Sequence, residues 1–181
     1  MAQYLRPSGV DNYDGWETNP FYDALDETSP NDSDFIQTPL SPNYPTVYLN
    51  LSAISDPLSS SGHILRFRYR KSAASSMDIG FGVQLIQTDP FGSFLAEYYP
   101  VATSDTWVTD TYNLDATQTD SITDYANLFL RIDAYVIGSG TAVRGQVSWI
   151  EFETPDLPGK GPSRILRPTF VWPVQRYLTG G

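Results

Sequence analysis

The sequence predicts an all-β domain, a sandwich or barrel of six to eight short strands with one or two short helices. Three observations carry that expectation. Apolar and polar residues alternate with period two through most of the chain, and turn-forming residues separate the alternating runs. Strands never alternate with long helical patterns, which argues against a parallel α/β sheet. The 181 residues are 40% hydrophobic, 14% aromatic and 18% charged, a globular balance, and the 13 Gly and 14 Pro supply turns. A chain this long buries roughly 70% of its unfolded surface and needs no metal or disulfide staple.

The elements follow in order. Residues 1–36 are polar and acidic, with eight acids against the single base Arg6. They are expected to pack on the sandwich, with a short helix over Phe21–Glu27 that Asn19 caps and Pro20 begins. Phe21 and Leu25 would share its inner face. The sandwich spans 37–154. Val47, Leu49 and Leu51 face one way, with Tyr48 and Asn50 opposite. Leu65, Phe67 and Tyr69 alternate with Arg66, Arg68 and Arg70. Ile79, Phe81, Val83 and Leu85 alternate with Gly80 and Gly82, glycines read as relieving crowding or allowing a bulge. Runs 94–101 and 107–114 add two strands. Leu128, Leu130, Ile132 and Ala134 alternate with Phe129, Arg131 and Asp133, and 147–152 closes the body. Between strands, 117–125 reads as a second short helix, with Thr117 and Asp120 as a weak capping box and Ile122 as its anchor.

Residues 155–181 form a Pro-rich segment of different character. All 21 acids lie in 1–157, against seven bases, whereas 158–181 holds Lys160, Arg164, Arg167 and Arg176 and no acid. Its apolar stretch, Ile165 to Val174, is interrupted by prolines, so it can be neither an interior strand nor a helix. An extended arm is the expected conformation, lying in a groove of a partner or back on its own domain. The acidic body repels phosphates, so nucleic-acid binding is not expected. No apolar run approaches the roughly 20 residues a spanning helix needs, and Met1–Gly9 does not resemble a signal peptide. No membrane partner is expected, and the chain is expected to be soluble and made in a cytoplasm.

No catalytic constellation stands out, and the expectation is a protein that is not an enzyme, with no cofactor and no metal. There is no cysteine. His63 is the single histidine, which rules out a two-histidine metal site, and it reads as partly exposed at a strand entrance. Neither a P-loop, a dinucleotide fingerprint nor a nucleophile elbow occurs. A glycosidase needs only two carboxylates, but nothing marks a pair. Asp11, Asn12, Asp14, Asp32 and Asp34 could offer oxygen ligands to Ca²⁺, yet solvated turns account for them better. The sequons at Asn31 and Asn50 read as coincidence. Tyr98, Tyr99, Trp107, Tyr112 and Tyr135 could form a platform for stacking sugars, although core packing is the preferred reading.

Beyond these patterns, Leu5-Arg6-Pro7, Gly15-Trp16, Leu25-Asp26-Glu27 and Asp32 to Ile36 resemble the opening of a jelly-roll domain of tailed-bacteriophage structural proteins. Trp107-Val108-Thr109, Tyr112-Asn113-Leu114, Ile122 to Tyr125, Leu128, Leu130-Arg131 and Val147 to Glu151 resemble its later strands and the short helix between them. The resemblance covers residues 4–154 and implies an antiparallel two-sheet jelly-roll sandwich, similar to carbohydrate-binding modules, with the extended C-terminal arm in addition. It further implies a virion protein, first of all a capsid decoration (cement) protein on the outer head surface, with the major capsid protein or other virion proteins as partners. A homo-oligomer, such as a trimer on a threefold position, would suit that role. Tyr4, Arg6, Ile165, Leu166, Arg167, Phe170, Trp172, Arg176 and Tyr177 are the candidate contacts, with Arg pairing carboxylates and aromatics filling pockets. A tail or neck protein and a glycan-binding module for host attachment are the alternatives.

Overall fold

A computed structural model describes residues 2–17 and 21–157. Eleven strands and one helix are found among them: β1 (Gln3–Leu5), β2 (Pro7–Asp14), β3 (Ile36–Gln37), β4 (Asn43–Leu51), β5 (Ile64–Lys71), β6 (Asp78–Gln87), β7 (Phe94–Tyr98), β8 (Val101–Ala102), β9 (Val108–Asn113), α1 (Ala116–Asp120), β10 (Leu128–Ile137) and β11 (Gly145–Thr154). They build two antiparallel sheets stacked as a jelly-roll-type sandwich. One sheet runs β1-β11-β5-β9, with β3 also paired to β11. The other runs β2-β4-β10-β6-β7, with β8 also paired to β6.

The period-two pattern explains the core. Val47, Leu49, Leu130, Ile132, Phe81 and Val83 of the six-stranded sheet face Leu65, Phe67, Ile150 and Phe152 of the other, all fully or nearly fully buried. Phe67 and Tyr69 meet Phe81 edge-on, with ring centroids 5.5 and 5.6 Å apart. Several polar groups inside this layer are paired. The Tyr69 and Tyr98 hydroxyls both donate to Asp110 Oδ2 at 2.6 Å, which ties the two sheets together. Burial, then that carboxylate, raises both phenol pKa values far above normal. Lys71 Nζ donates to Asp78 at 2.8 Å and to the Ser75 and Met77 carbonyls, closing the β5–β6 connection.

Four expectations are corrected. The acidic N-terminal segment does not lie on the sandwich as a separate piece. Its β1 pairs with β11 in one sheet and its β2 with β4 in the other, so the chain changes sheets at Arg6. Strand β2 carries little apolar alternation because most of its side chains face solvent. Phe21–Leu25 is a run of turns rather than a helix; Phe21, Ala24 and Leu25 are buried as an inner face would be, but so short a segment does not repay helix nucleation. Helix α1 is capped by Asp115, whose carboxylate accepts from Gln118 N while Gln118 caps in return. Ile122 is buried beyond the helix end. Finally, His63 is fully buried, its Nε2 2.8 Å from the Tyr125 hydroxyl and its ring 5.9 Å from Phe152.

Burial lowers the His63 pKa below its usual value and pushes the Tyr125 phenol up to about 12. A histidine that is harder to protonate folded than unfolded contributes full stability above the unfolded value of about 6.5, and loses it as pH falls below that. The melting temperature should therefore drop between pH 7 and 5. His63→Phe should flatten that part of the profile; an unchanged slope would assign the acid sensitivity elsewhere.

Candidate functional site

The site is built on the outer face of the six-stranded sheet, and strand register sets its layout. Side chains opposite the core residues of β4 and β10 point outward, and pairing lines them up in rows. Asn12, Tyr48, Arg131, Gln84 and Glu97 form one row across five strands. A neighbouring row runs Asn50, Phe129, Ile86 and Phe94, and on the other side Asp14, Thr46, Asp133 and Gly82 align. The fourth row pairs Tyr135 with Gly80.

Aromatic rings stand at both ends. Near one end the Arg131 guanidinium lies 6.0 Å over the Tyr48 ring and 5.5 Å over Phe94, and Phe91, from the β6–β7 loop, packs on Tyr48 at 4.9 Å. At the other end Tyr44 stacks on Tyr135 with centroids 5.4 Å apart and planes 19° apart. Tyr44 holds a left-handed backbone, φ 55°, to do so, a conformation that costs a non-glycine residue about 1 kcal/mol or more. Phe91, Tyr44, Phe94 and Tyr99 are all exposed. Tyr135 lies four residues along β10 from Arg131, about 14 Å of strand.

Glycines form the floor beneath these groups. A Cβ at residue 80 would stand 2.8 Å from the Tyr135 hydroxyl oxygen and overlap its ring, and one at 82 would stand 2.8 Å from Asp133 Oδ1. The crowding read from the sequence is therefore between the glycines and these outward side chains. Between the rings the polar groups are buried and incompletely paired. Gln84 and Asp133 are nearly inaccessible. Asp133 pairs with Arg131 at 3.4 Å, and burial still raises its carboxyl pKa above the usual range. Gln84 Oε1, Arg131 Nε and Asn50 Oδ1 are buried without a hydrogen-bond partner among the described residues.

Of the residues marked in the sequence as a sugar platform, Tyr99 and Tyr135 lie on this face. Tyr98 and Tyr112 stack on each other at 5.2 Å, Tyr98 bonding Asp110 and Tyr112 bonding Gln118. Trp107 immediately precedes β9 of the opposite sheet, beside Phe35 and Arg70. Tyr48, Phe91, Phe94, Gln84 and Arg131 were not singled out. Alternation does place Tyr48 and Arg131 outward, but it does not show that β4 and β10 are neighbours. Among the candidate arm contacts, Tyr4 is exposed on β1, and Arg6 is held within the domain by an ion pair to Glu151 and by its own neighbour Tyr4. Ile165, Leu166, Arg167, Phe170, Trp172, Arg176 and Tyr177 lie outside the described residues, as does the extended arm. Of the acidic residues considered for Ca²⁺, Asp32 takes two 2.6 Å bonds from Arg68, which hold its carboxyl below the usual range.

Gly80→Ala tests the floor. The clash falls on the far end of a side chain that can swing into solvent, so stability should change by less than about 1 kcal/mol. The Tyr135 ring should leave Tyr44, read as loss of ring-to-ring nuclear Overhauser contacts.

No protein-family model matches the sequence, and no curated protein is significantly similar to it. Solved structures with a similar chain course include a xylan-binding module of family CBM15, at 13% identity and TM-score 0.45, covering 84% of this chain and 97% of that one. The K3 cleaved adhesin domain of Lys-gingipain from Porphyromonas gingivalis w83 is similar at 13% identity and TM-score 0.44, covering 80% and 99%. A CBM4 structure is similar at 16% identity and TM-score 0.39, covering 83% and 94%. At such identities and scores the architecture rests on the chain's own sheet pairing, a two-sheet β-sandwich.

Proposed function

We propose that this chain is a glycan-binding module whose outer six-stranded face takes a neutral oligosaccharide or polysaccharide. One observation carries the reading: buried, unpaired polar atoms of Gln84, Arg131 and Asn50 sit on one open sheet face between aromatic rings. A buried polar group without a partner costs about 1–3 kcal/mol, and a ligand rich in hydroxyls can supply both donors and acceptors along the row. Rings at the two ends offer apolar surfaces on which the faces of sugar rings stack. Glycine floors and the left-handed Tyr44 set those surfaces before a ligand arrives, which reduces the ordering cost of binding. Arg131 is the cation of the face, against Asp14, Asp133 and Glu97, so a polyanionic glycan would be repelled. The module binds without turning its ligand over in this reading.

Virion decoration is a second proposal, favoured by the charge contrast between the acidic body and residues 158–181, which hold four bases and no acid. Head protein, tail protein and homo-oligomer are all forms of it. Deleting 158–181 should abolish incorporation into particles, and incorporation by the truncated chain would exclude it.

Affinity electrophoresis through gels carrying neutral and anionic polysaccharides tests the first reading. Retardation is expected in a neutral gel, and Tyr48→Ala and Arg131→Ala should each weaken it about tenfold, the effect of losing one anchor. Equal mobility in every gel would exclude glycan binding by this face.

A further inference from the structure

We infer a second binding site, on the opposite sheet, that takes the carboxylate of an acidic sugar residue in the cleft beside Arg70 and Trp107. It does not depend on the function proposed for the six-stranded face.

Arg70 differs from the other cations of the molecule. Every other described lysine or arginine has a carboxylate within ion-pair distance, whereas Arg70 has none among the described residues. Its strand neighbours show the contrast. Arg66 pairs with Glu151 and Glu153, and Arg68 with Asp32. The acceptors of Arg70 are both neutral: Gln146 Oε1 takes a bond from Nε at 2.7 Å, and the Asp105 carbonyl one from Nη1 at 3.5 Å. The guanidinium is also clamped 4.4 Å over the Trp107 indole and 5.9 Å over Phe35. Its plane is thus fixed while no carboxylate pairs with it directly, Asp32 acting on it only from beyond ion-pair distance, which leaves it preorganised for bidentate carboxylate recognition.

The space beside it selects among carboxylates. Arg70 forms one wall of a cleft of about 130 Å³, and the 103–106 loop forms another. That volume holds about four waters, the size class of one sugar ring rather than a chain. Thr103, Ser104 and Thr106 bring hydroxyls to it, and the exposed Val101 and Val108 bring apolar surface. A simple anion needs neither hydroxyls nor apolar walls. A pyranose ring with a carboxylate uses all three: charge on Arg70, hydroxyls on the loop, and its C–H face on the valines.

Titration of the full chain with methyl glucuronide, followed by isothermal calorimetry and by the Trp107 indole resonance, tests the site. Methyl glucuronide should bind and shift that resonance, and methyl glucoside should bind at least about tenfold more weakly. Arg70→Gln should remove the preference for the acid, and Thr106→Trp, at an exposed position, should fill the cleft and block binding without touching the core. Equal binding of glucoside and glucuronide overturns the inference, as does acid preference that survives Arg70→Gln. Acetate binding as tightly as glucuronide would make it an anion pocket only, tighter binding of a glutamate-rich peptide would make it a peptide site, and no binding of any probe would leave no site.

Discussion

Backbone pairing of β10 with β6 and β4 is the constraint on which the rest depends. Its ten-residue register with β6, from Leu128 opposite Gln87 to Ile137 opposite Asp78, is unbroken. Because strand side chains alternate, a slip of one residue would exchange the two faces of the sheet. The register that buries Leu130, Ile132 and Ala134 is therefore the one that presents Phe129, Arg131, Asp133 and Tyr135. Core and recognition face are two sides of one hydrogen-bonding pattern. The irregularity between Asp133 and Tyr135 on the β4 side moves Tyr135 opposite Asn43, which brings it beside the left-handed Tyr44.

The outer faces of the two sheets differ in how completely their polar groups are paired. On the five-stranded sheet, Arg6 and Arg66 share Glu151 and Arg68 holds Asp32 through two bonds, so much of that face satisfies itself, although Arg6 Nε is buried without a partner among the described residues. On the six-stranded sheet, buried donors and acceptors remain unmatched beside aromatic rings. Self-satisfied polar networks hold a fold, whereas unmatched ones favour an outside partner, because desolvating an unpaired group is costly. Arg70, on the same face, is hydrogen-bonded only to neutral acceptors, Gln146 and the Asp105 carbonyl.

Glycine takes part in this economy by omission. Gly80 and Gly82 lie on a central strand, where glycine weakens a sheet, and each would crowd an outward side chain if it carried a Cβ. Their absent side chains let Tyr135 and Asp133 lie close across the neighbouring strand. Interior polar groups serve a different end: Asp110 takes both phenols, and His63 meets Tyr125, each fixing how the layers meet.

Local alternation was enough to establish the all-β class, the position of β4, β5, β6, β10 and β11, and the inward or outward sense of the alternating residues at 47–51, 65–70, 79–85 and 128–134. That follows because the period of a strand is a property of its own backbone. Strands β1 and β2 were not legible, since a solvent-facing edge strand has little apolar pattern, and the turns at Phe21–Leu25 share the spacing of a helix. Which strands are neighbours is a matter of long-range pairing that no local pattern encodes. Tyr48, Arg131, Gln84 and Glu97 come from four strands, and only tertiary pairing makes them a row; likewise Arg70, Trp107 and Phe35 meet because β5, β9 and the segment before β3 converge on one edge.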